Sequence, residues 1–169
     1  MASDVHYEKL PRPMGEVRHD YGENVYILSQ PYPMTLLSRL CSEECVQPEV
    51  NELVKQLFGW LFGEIASREL STHQLSTPTR MQREHPEGKV VGEHIVTQQK
   101  AVVVDIARAG ILPGAVFYDA LNRLLDPAFV RQDHVFMNRV TDPDGQVTGV
   151  DLSGSKIGGP IDDAILFVP

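Results

Sequence analysis

Lys100 to Leu125 reads KAVVVDIARAGILPGAVFYDALNRLL, a buried strand that ends in an Arg-Ala-Gly turn and restarts as an amphipathic helix. Ala101 to Val104 form the short continuous apolar run of a parallel strand covered on both faces, and Gly110 supplies a flexible turn. The helix is expected to open near Pro113, because proline suits a first helical turn where its missing N–H would be unpaired anyway. Free N–H groups at such a helix start favour a bound anion, and Arg108 projects from the junction as a planar donor fork suited to phosphate.

The chain has 169 residues, 42% of them hydrophobic, and a formal net charge of −8. That length fits one ordinary domain with a sizeable core. The acidic balance, with no basic run, argues against a nucleic-acid partner, since backbone binding needs clustered Lys and Arg. The first thirty residues are too polar for a signal peptide, and no stretch approaches the roughly 18 apolar residues of a membrane helix. The expectation is a soluble, cytoplasmic protein without a membrane partner. Cys41 and Cys45 are read as reduced thiols four residues apart on one helix face, and the six histidines show no zinc spacing.

Outward from the central stretch, residues 1 to 30 read as an irregular N-terminal arm whose tyrosines pack on a neighbour. Met34 to Cys45 carries Leu36, Leu37, Leu40 and Cys41 at helical spacing before Gln47-Pro48 breaks it. A second helix runs from Pro48 to about Leu70. Its apolar positions Val50, Leu53, Val54, Leu57, Phe58, Trp60, Leu61 and Ile65 are wider than one stripe, which suits either the chain's own core or another subunit. Thr72 to Gln99 reads as a hairpin-like excursion with a turn at His85 to Lys89. Further strands are expected at Ala101–Asp105, His134–Arg139 and Ala164–Val168, the first two joined by the helix as a right-handed parallel crossover. Asp142-Pro143-Asp144-Gly145 is a strong turn signal, followed by a short β stretch and a glycine-rich loop, Ser153 to Gly159.

Ligands of open α/β sheets sit beyond the carboxyl ends of the strands. Arg108 and Arg139 follow two successive strands at equivalent positions, and two guanidinium groups on one crevice suit a polyphosphate. Each arginine taken alone is equally a surface group in a weak ion pair. The stretch SGSKIGGP, Ser153 to Pro160, is not a P-loop, because Lys156 precedes the glycine pair and a strand follows. It reads as a mobile loop carrying Lys156, either a lid or a flexible hairpin end. No Gly-x-Ser-x-Gly, His-Glu-x-x-His or Gly-x-Gly-x-x-Gly pattern is present.

Five segments in order resemble the uracil phosphoribosyltransferases, within the type I phosphoribosyltransferases. Glu64 to Leu70 (EIASREL) is similar to that family's Glu-Ala-Thr-Arg-Asp-Leu, and Ser76-Thr77-Pro78 to its Glu-Thr-Pro. Val104 to Gly110 (VDIARAG) resembles the Val-Pro-Ile-Leu-Arg-Ala-Gly pyrophosphate loop, and Phe136 to Arg139 (FMNR) its Met-Tyr-Arg. Lys156 to Val168 resembles the arm end and the strand before the ribose-phosphate loop. Asp105 and Ala107 stand where the family has Pro and Leu, Asn138 where it has Tyr, and Ile157-Gly158-Gly159 lacks the Leu-Pro. These departures bear on the nucleobase more than on the fold.

The resemblance implies an α/β fold: a type I phosphoribosyltransferase-like parallel sheet flanked by helices, with N-terminal helices and an inserted β-hairpin arm. Residues 1–30 would be the arm and 31–169 a phosphoribosyltransferase domain with its sheet incomplete at the C-terminus. It implies a glycosyltransferase (pentosyltransferase) that moves phosphoribosyl from 5-phosphoribosyl 1-diphosphate (PRPP) to uracil, giving UMP and diphosphate, as a homo-oligomer with Mg²⁺ on the diphosphate. Arg108, Ala109, Gly110 and Arg139 would bind the diphosphate, with Lys156 on a closing lid. The family's Asp-Pro-Met-x-Ala-Thr-Gly-Gly loop would begin after Pro169. The 169 residues are thus expected to be an N-terminal portion, inactive alone. The alternatives are a non-catalytic diphosphate-binding or oligomerisation module and, against the acidic balance, an RNA-binding regulator. Isolated chain given uracil and PRPP is expected to form no UMP; turnover abolished by Arg108→Ala would refute the need for the further loop.

Overall fold

Val102, Val103 and Val104 are β-branched and packed from neighbouring strands, which favours extended backbone. In the computed structural model, which describes residues 15–22 and 24–169, they form the centre of β5. The strands and helices are β1 (Glu16–Val17), β2 (Ile27–Leu28), α1 (Pro31–Leu40), α2 (Glu49–Glu69), β3 (Thr72–Pro78), β4 (Lys89–Ile95), β5 (Lys100–Ala107), α3 (Ile111–Leu124), β6 (Val130–Thr141), β7 (Val147–Lys156) and β8 (Ala164–Phe167). The main sheet has the order β7-β6-β5-β8. Both neighbours of β5 run parallel to it, whereas β7 returns antiparallel on β6 as the hairpin arm. The fold is mixed α/β.

Ala101 and Val103 share one face of β5 and are fully buried, in a core with Phe62 and Ala66 of α2, Phe117 and Leu121 of α3, Val130 of β6 and Phe167 of β8. Phe117 is its hub, meeting the rings of Phe62, Phe167 and Phe58 edge-on at centroid distances of 5.3, 6.0 and 6.2 Å. Such tilted pairs add to the burial of their area. The wide apolar face of α2 is absorbed in part here, with Phe58, Leu61 and Ile65 packed against the cluster. Both core helices lie on the Ala101–Val103 face; on the other, Val102 is 3% exposed and Val104 half-buried, so the apolar run is covered on both faces as expected, and that face opens only at Ile106 near the strand end and at Leu166 of β8.

Other boundaries moved for identifiable reasons. α1 begins at Pro31, whose ring presets a helical φ, and stops at Leu40. There the Ser42 hydroxyl accepts from the Glu44 N–H at 3.3 Å, a local bond that competes with the helix. Cys41 therefore caps α1 and Cys45 lies in the following turn; they do not share a helix face, and both are free thiols. Residues 1–14 and 23 of the expected arm lie outside the described residues, and the rest of it forms the small β1–β2 pair. Arg68 of α2 reaches this pair through Glu16 at 3.6 Å and the Tyr26 ring at 5.0 Å.

The glycine-rich Ser153 to Gly159 is not the loop its composition suggests. Gly154, Ser155 and Lys156 pair with Phe136, Val135 and His134 of β6, and Ser153 is the extra residue where the register shifts. Its hydroxyl donates to the Phe136 carbonyl at 3.2 Å, closing the irregularity. Beyond Lys156 the chain is strapped to β6. Arg131 grips the buried Asp133 through Nε and Nη2 at 3.0 Å, and donates onward to the Gly159 and Pro160 carbonyls at 3.1 and 3.2 Å. The Gly158 N–H donates to Asp133 Oδ1 at 2.9 Å. A Cβ on Gly158 would lie 2.6 Å from Arg131 Cδ, so only glycine passes under the guanidinium stem. Removing one partner of a buried pair strands the other. Asp133→Ala is expected to cost about 3 kcal/mol in urea denaturation and to speed tryptic cleavage after Lys156; unchanged cleavage would mean that the strap does not hold the segment.

Candidate functional site

Where β5 ends, the chain turns through Arg108, Ala109 and Gly110 into α3. The peptide between Ala107 and Arg108 is cis. Gly110 is the N-cap of α3 with φ −74° and ψ −11°, a conformation open to any residue. Its glycine is required for space, not for flexibility: a Cβ there would sit 2.9 Å from both the amide and the carbonyl of Ile106, and 3.2 Å from the Pro169 carbonyl. Pro169 follows β8, so the carboxyl ends of β5 and β8 meet at this glycine.

Strand order reverses at β5. The connection through α3 leads to β6 on one side, while β8 lies on the other. Open α/β sheets hold their ligands outside the carboxyl ends of the strands at such a reversal. By that rule the crevice is expected between β5 and β8, whereas the sequence suggested β5 and β6. Arg108 is exposed at its mouth and makes no ion pair or side-chain hydrogen bond among the described residues. The first turn of α3 carries no acidic side chain, so the positive end of its dipole is not neutralised there.

The geometry bears on Gly110, Ala109, Arg139 and Lys156 in turn. Gly110 is buried and its N–H donates to the Ile106 carbonyl at 2.9 Å; that of Ile111 donates to the Arg108 carbonyl at 3.2 Å. Gly110 therefore shapes the turn without offering its own N–H, and Arg108 and Ala109 are the turn residues whose N–H groups have no backbone acceptor among the described residues. Arg139 is not at a position equivalent to Arg108. The last β5–β6 pair is Ala107 with Phe136, and Arg139 lies three residues further, opposite Val150 on the hairpin arm. At about 3.3 Å per residue this puts it roughly 10 Å beyond the parallel sheet. Lys156 is exposed at the end of β7, level with His134, at the start of the strap and away from the β5–β8 crevice.

The residues that composition did not single out lie just below the turn. Asp105 is 1% exposed. Its Oδ2 accepts from Gln132 Nε2 at 2.7 Å and lies 3.0 Å from Nδ1 of the half-exposed His134, which donates when its proton is on that nitrogen. Register partnership of Asp105 with His134 puts both on the helix-covered face. Asp105 Oδ1 has no hydrogen-bond partner among the described residues and faces Gly114. A Cβ at Gly114 would fall 1.6 Å from that oxygen, so α3 reaches β5 over Asp105 only because the residue is glycine. The legible signal was the pairing of an Asp in an apolar strand with a Gly four places into the next helix. The expected Mg²⁺ finds no protein cage here: no cluster of three His, Cys, Asp or Glu forms among the described residues, and Asp105, the carboxylate nearest the turn, is enclosed.

Gly114→Ala is expected to cost about 1–3 kcal/mol by overpacking. Asp105→Ala, by removing the obstructing oxygens, should make the two changes non-additive by about 1 kcal/mol or more. Urea denaturation of the two single variants and the double variant checks this; additive costs would show that the methyl group finds room elsewhere.

No protein-family model matches the chain, and no curated protein is similar to it. Among solved structures, that of the AQ2163 protein from Aquifex aeolicus is similar, with a TM-score of 0.54 at 13% identity over 84% of this chain. The chain spans 60% of the length of that structure. At this identity the likeness shows the fold alone: the chain shares its α/β architecture with a longer solved protein.

Proposed function

We propose that the Arg108-Ala109-Gly110 turn binds the diphosphate of a phosphoribosyl donor, and that the chain is uracil phosphoribosyltransferase-like. The supporting observation is the exposed Arg108, unpaired among the described residues, at the reversal point of the sheet, on a turn whose glycine has backbone atoms within 2.9 Å of where a Cβ would lie. The order of the five sequence segments supports the same reading.

In this reaction the bond from the anomeric carbon of PRPP to diphosphate breaks, a bond from that carbon to a ring nitrogen of uracil forms, and the nitrogen's proton is released. Negative charge grows on the departing diphosphate. Arg108 would meet it with parallel N–H donors, which are stronger with a charged acceptor than with a neutral one. The Ala109 N–H and the unneutralised start of α3 would add fixed dipoles that need no reorganisation. Mg²⁺ brought with the donor would supply further charge neutralisation. Arg139, on the arm, would reach the ligand only from outside the crevice. The homo-oligomer and the choice of uracil rest on the sequence resemblance.

Titration calorimetry with inorganic diphosphate in magnesium buffer tests the assignment. Arg108→Ala is expected to weaken binding about tenfold or more, as loss of a charged hydrogen-bond donor does, and Arg139→Ala to weaken it less. Binding unchanged by Arg108→Ala would refute the site.

A further inference from the structure

The β3–β4 hairpin carries a second basic feature, remote in sequence from the strand-end turn. Its tip, Thr79 to Gly88, is a closed loop. The Thr79 N–H and hydroxyl both donate to the Gly88 carbonyl, at 3.0 and 2.8 Å, and the Gly88 N–H donates to His85 at 2.8 Å. A Cβ on Gly88 would lie within 3.0–3.1 Å of the His85 carbonyl, the Gln82 amide and the Thr79 hydroxyl, so the loop closes on itself at a glycine. Inside it, Arg80–Arg83 form one turn of 3₁₀ helix. In that geometry residues three apart eclipse, which puts the two guanidinium stems on one side. Lys89 starts the returning strand, opposite Pro78.

These groups line an open cavity of about 800 Å³ formed by Pro78, Thr79, Arg80, Gln82, Arg83, Pro86 and Lys89. Three cations and no carboxylate line it, in a chain of net charge −8. Of the two acids in the tip, Glu87 faces His85 at 3.7 Å, and neither it nor Glu84 lines the cavity. Arg80, Arg83 and Lys89 form no ion pair among the described residues. Like charges are gathered on the closed loop, flanked by the Thr79 and Gln82 side chains, with no carboxylate among the described residues paired to them.

We infer that this hairpin cavity binds a small polyphosphate anion, such as the phosphate chain of a nucleotide, separately from the Arg108 turn. Two arginine forks and an ammonium group offer one cation to each of three linked phosphates. The acidic remainder of the surface opposes the long tracking contacts of a nucleic-acid strand, which favours a short ligand.

Calorimetry with linear tripolyphosphate on the Arg108→Ala protein isolates this site from the proposed diphosphate site. One binding event is expected to remain, and Arg80→Gln with Arg83→Gln in the same background should weaken it by about tenfold or more. Circular dichroism should show the same fold, since both side chains are exposed. No binding by the Arg108→Ala protein, or binding untouched by the two glutamine substitutions, overturns the inference. So does a single-stranded RNA oligomer that binds more tightly than tripolyphosphate and is lost with the same substitutions. An Arg108 site that fails while the hairpin binding persists would refute the proposed donor site and leave this one standing.

Discussion

Helix α3 lies on β5 with the α-carbon of one glycine against a buried carboxylate, and the placement of the Arg-Ala-Gly turn depends on that contact. Asp105 occupies the space a side chain at Gly114 would need, and it is held by Gln132 and His134 from the next strand. A buried carboxylate is costly unless its lone pairs are used, so these partners are part of its position, not additions to it. Because Asp105 precedes the Arg-Ala-Gly turn by so little chain, fixing it to β6 also fixes the base of the turn. The helix start and Arg108 inherit their aim from a strand-to-strand polar link.

The same economy of space recurs at Gly110, where the amide and carbonyl of Ile106 leave no volume for a methyl group. Here the constraint brings the end of β8 alongside the end of β5, through the carbonyl of Pro169. The reversal point is therefore bounded by two parallel strands that are distant in sequence, and by an arginine without a partner among the described residues. The core that supports it is compact: the Phe117 ring touches aromatic groups from α2 and β8 at once.

Much of this was legible from local pattern. The apolar run of β5, the amphipathic α3, the long α2 and the Asp-Pro-Asp-Gly arm turn each carry their own periodicity or turn chemistry, and each formed where those signals place it. What local pattern could not convey was partnership. Ser153 and Gly154 have loop composition, yet the cross-strand bonds of β6 outweigh that preference. Arg108 and Arg139 looked equivalent because each follows an apolar run, but only β5 ends there; β6 continues into the arm because β7 pairs with it. Asp105 read as a departure from a motif, and its meaning lay in Gly114, Gln132 and His134, which no single window contains.

Arg131 and Asp133 were likewise silent in the sequence, as alternate charged positions on a strand usually mark a solvent-facing edge. Their grip on Gly158, Gly159 and Pro160 has a consequence for the order in which the sheet can assemble. The strand β8 must find Lys100–Val103 from far along the chain, and closing so long a loop carries an entropy cost that rises by about 0.6 kcal/mol with each doubling of length. The β6–β7 hairpin and the strap shorten that search in steps. Once Asp133 holds Gly158 and Arg131 holds Pro160, only the turn through Asp163, at φ 57°, separates the anchored chain from the first residue of β8. A distant parallel pairing is thereby converted into a nearly local one, and the last strand docks from a tether rather than from free solution.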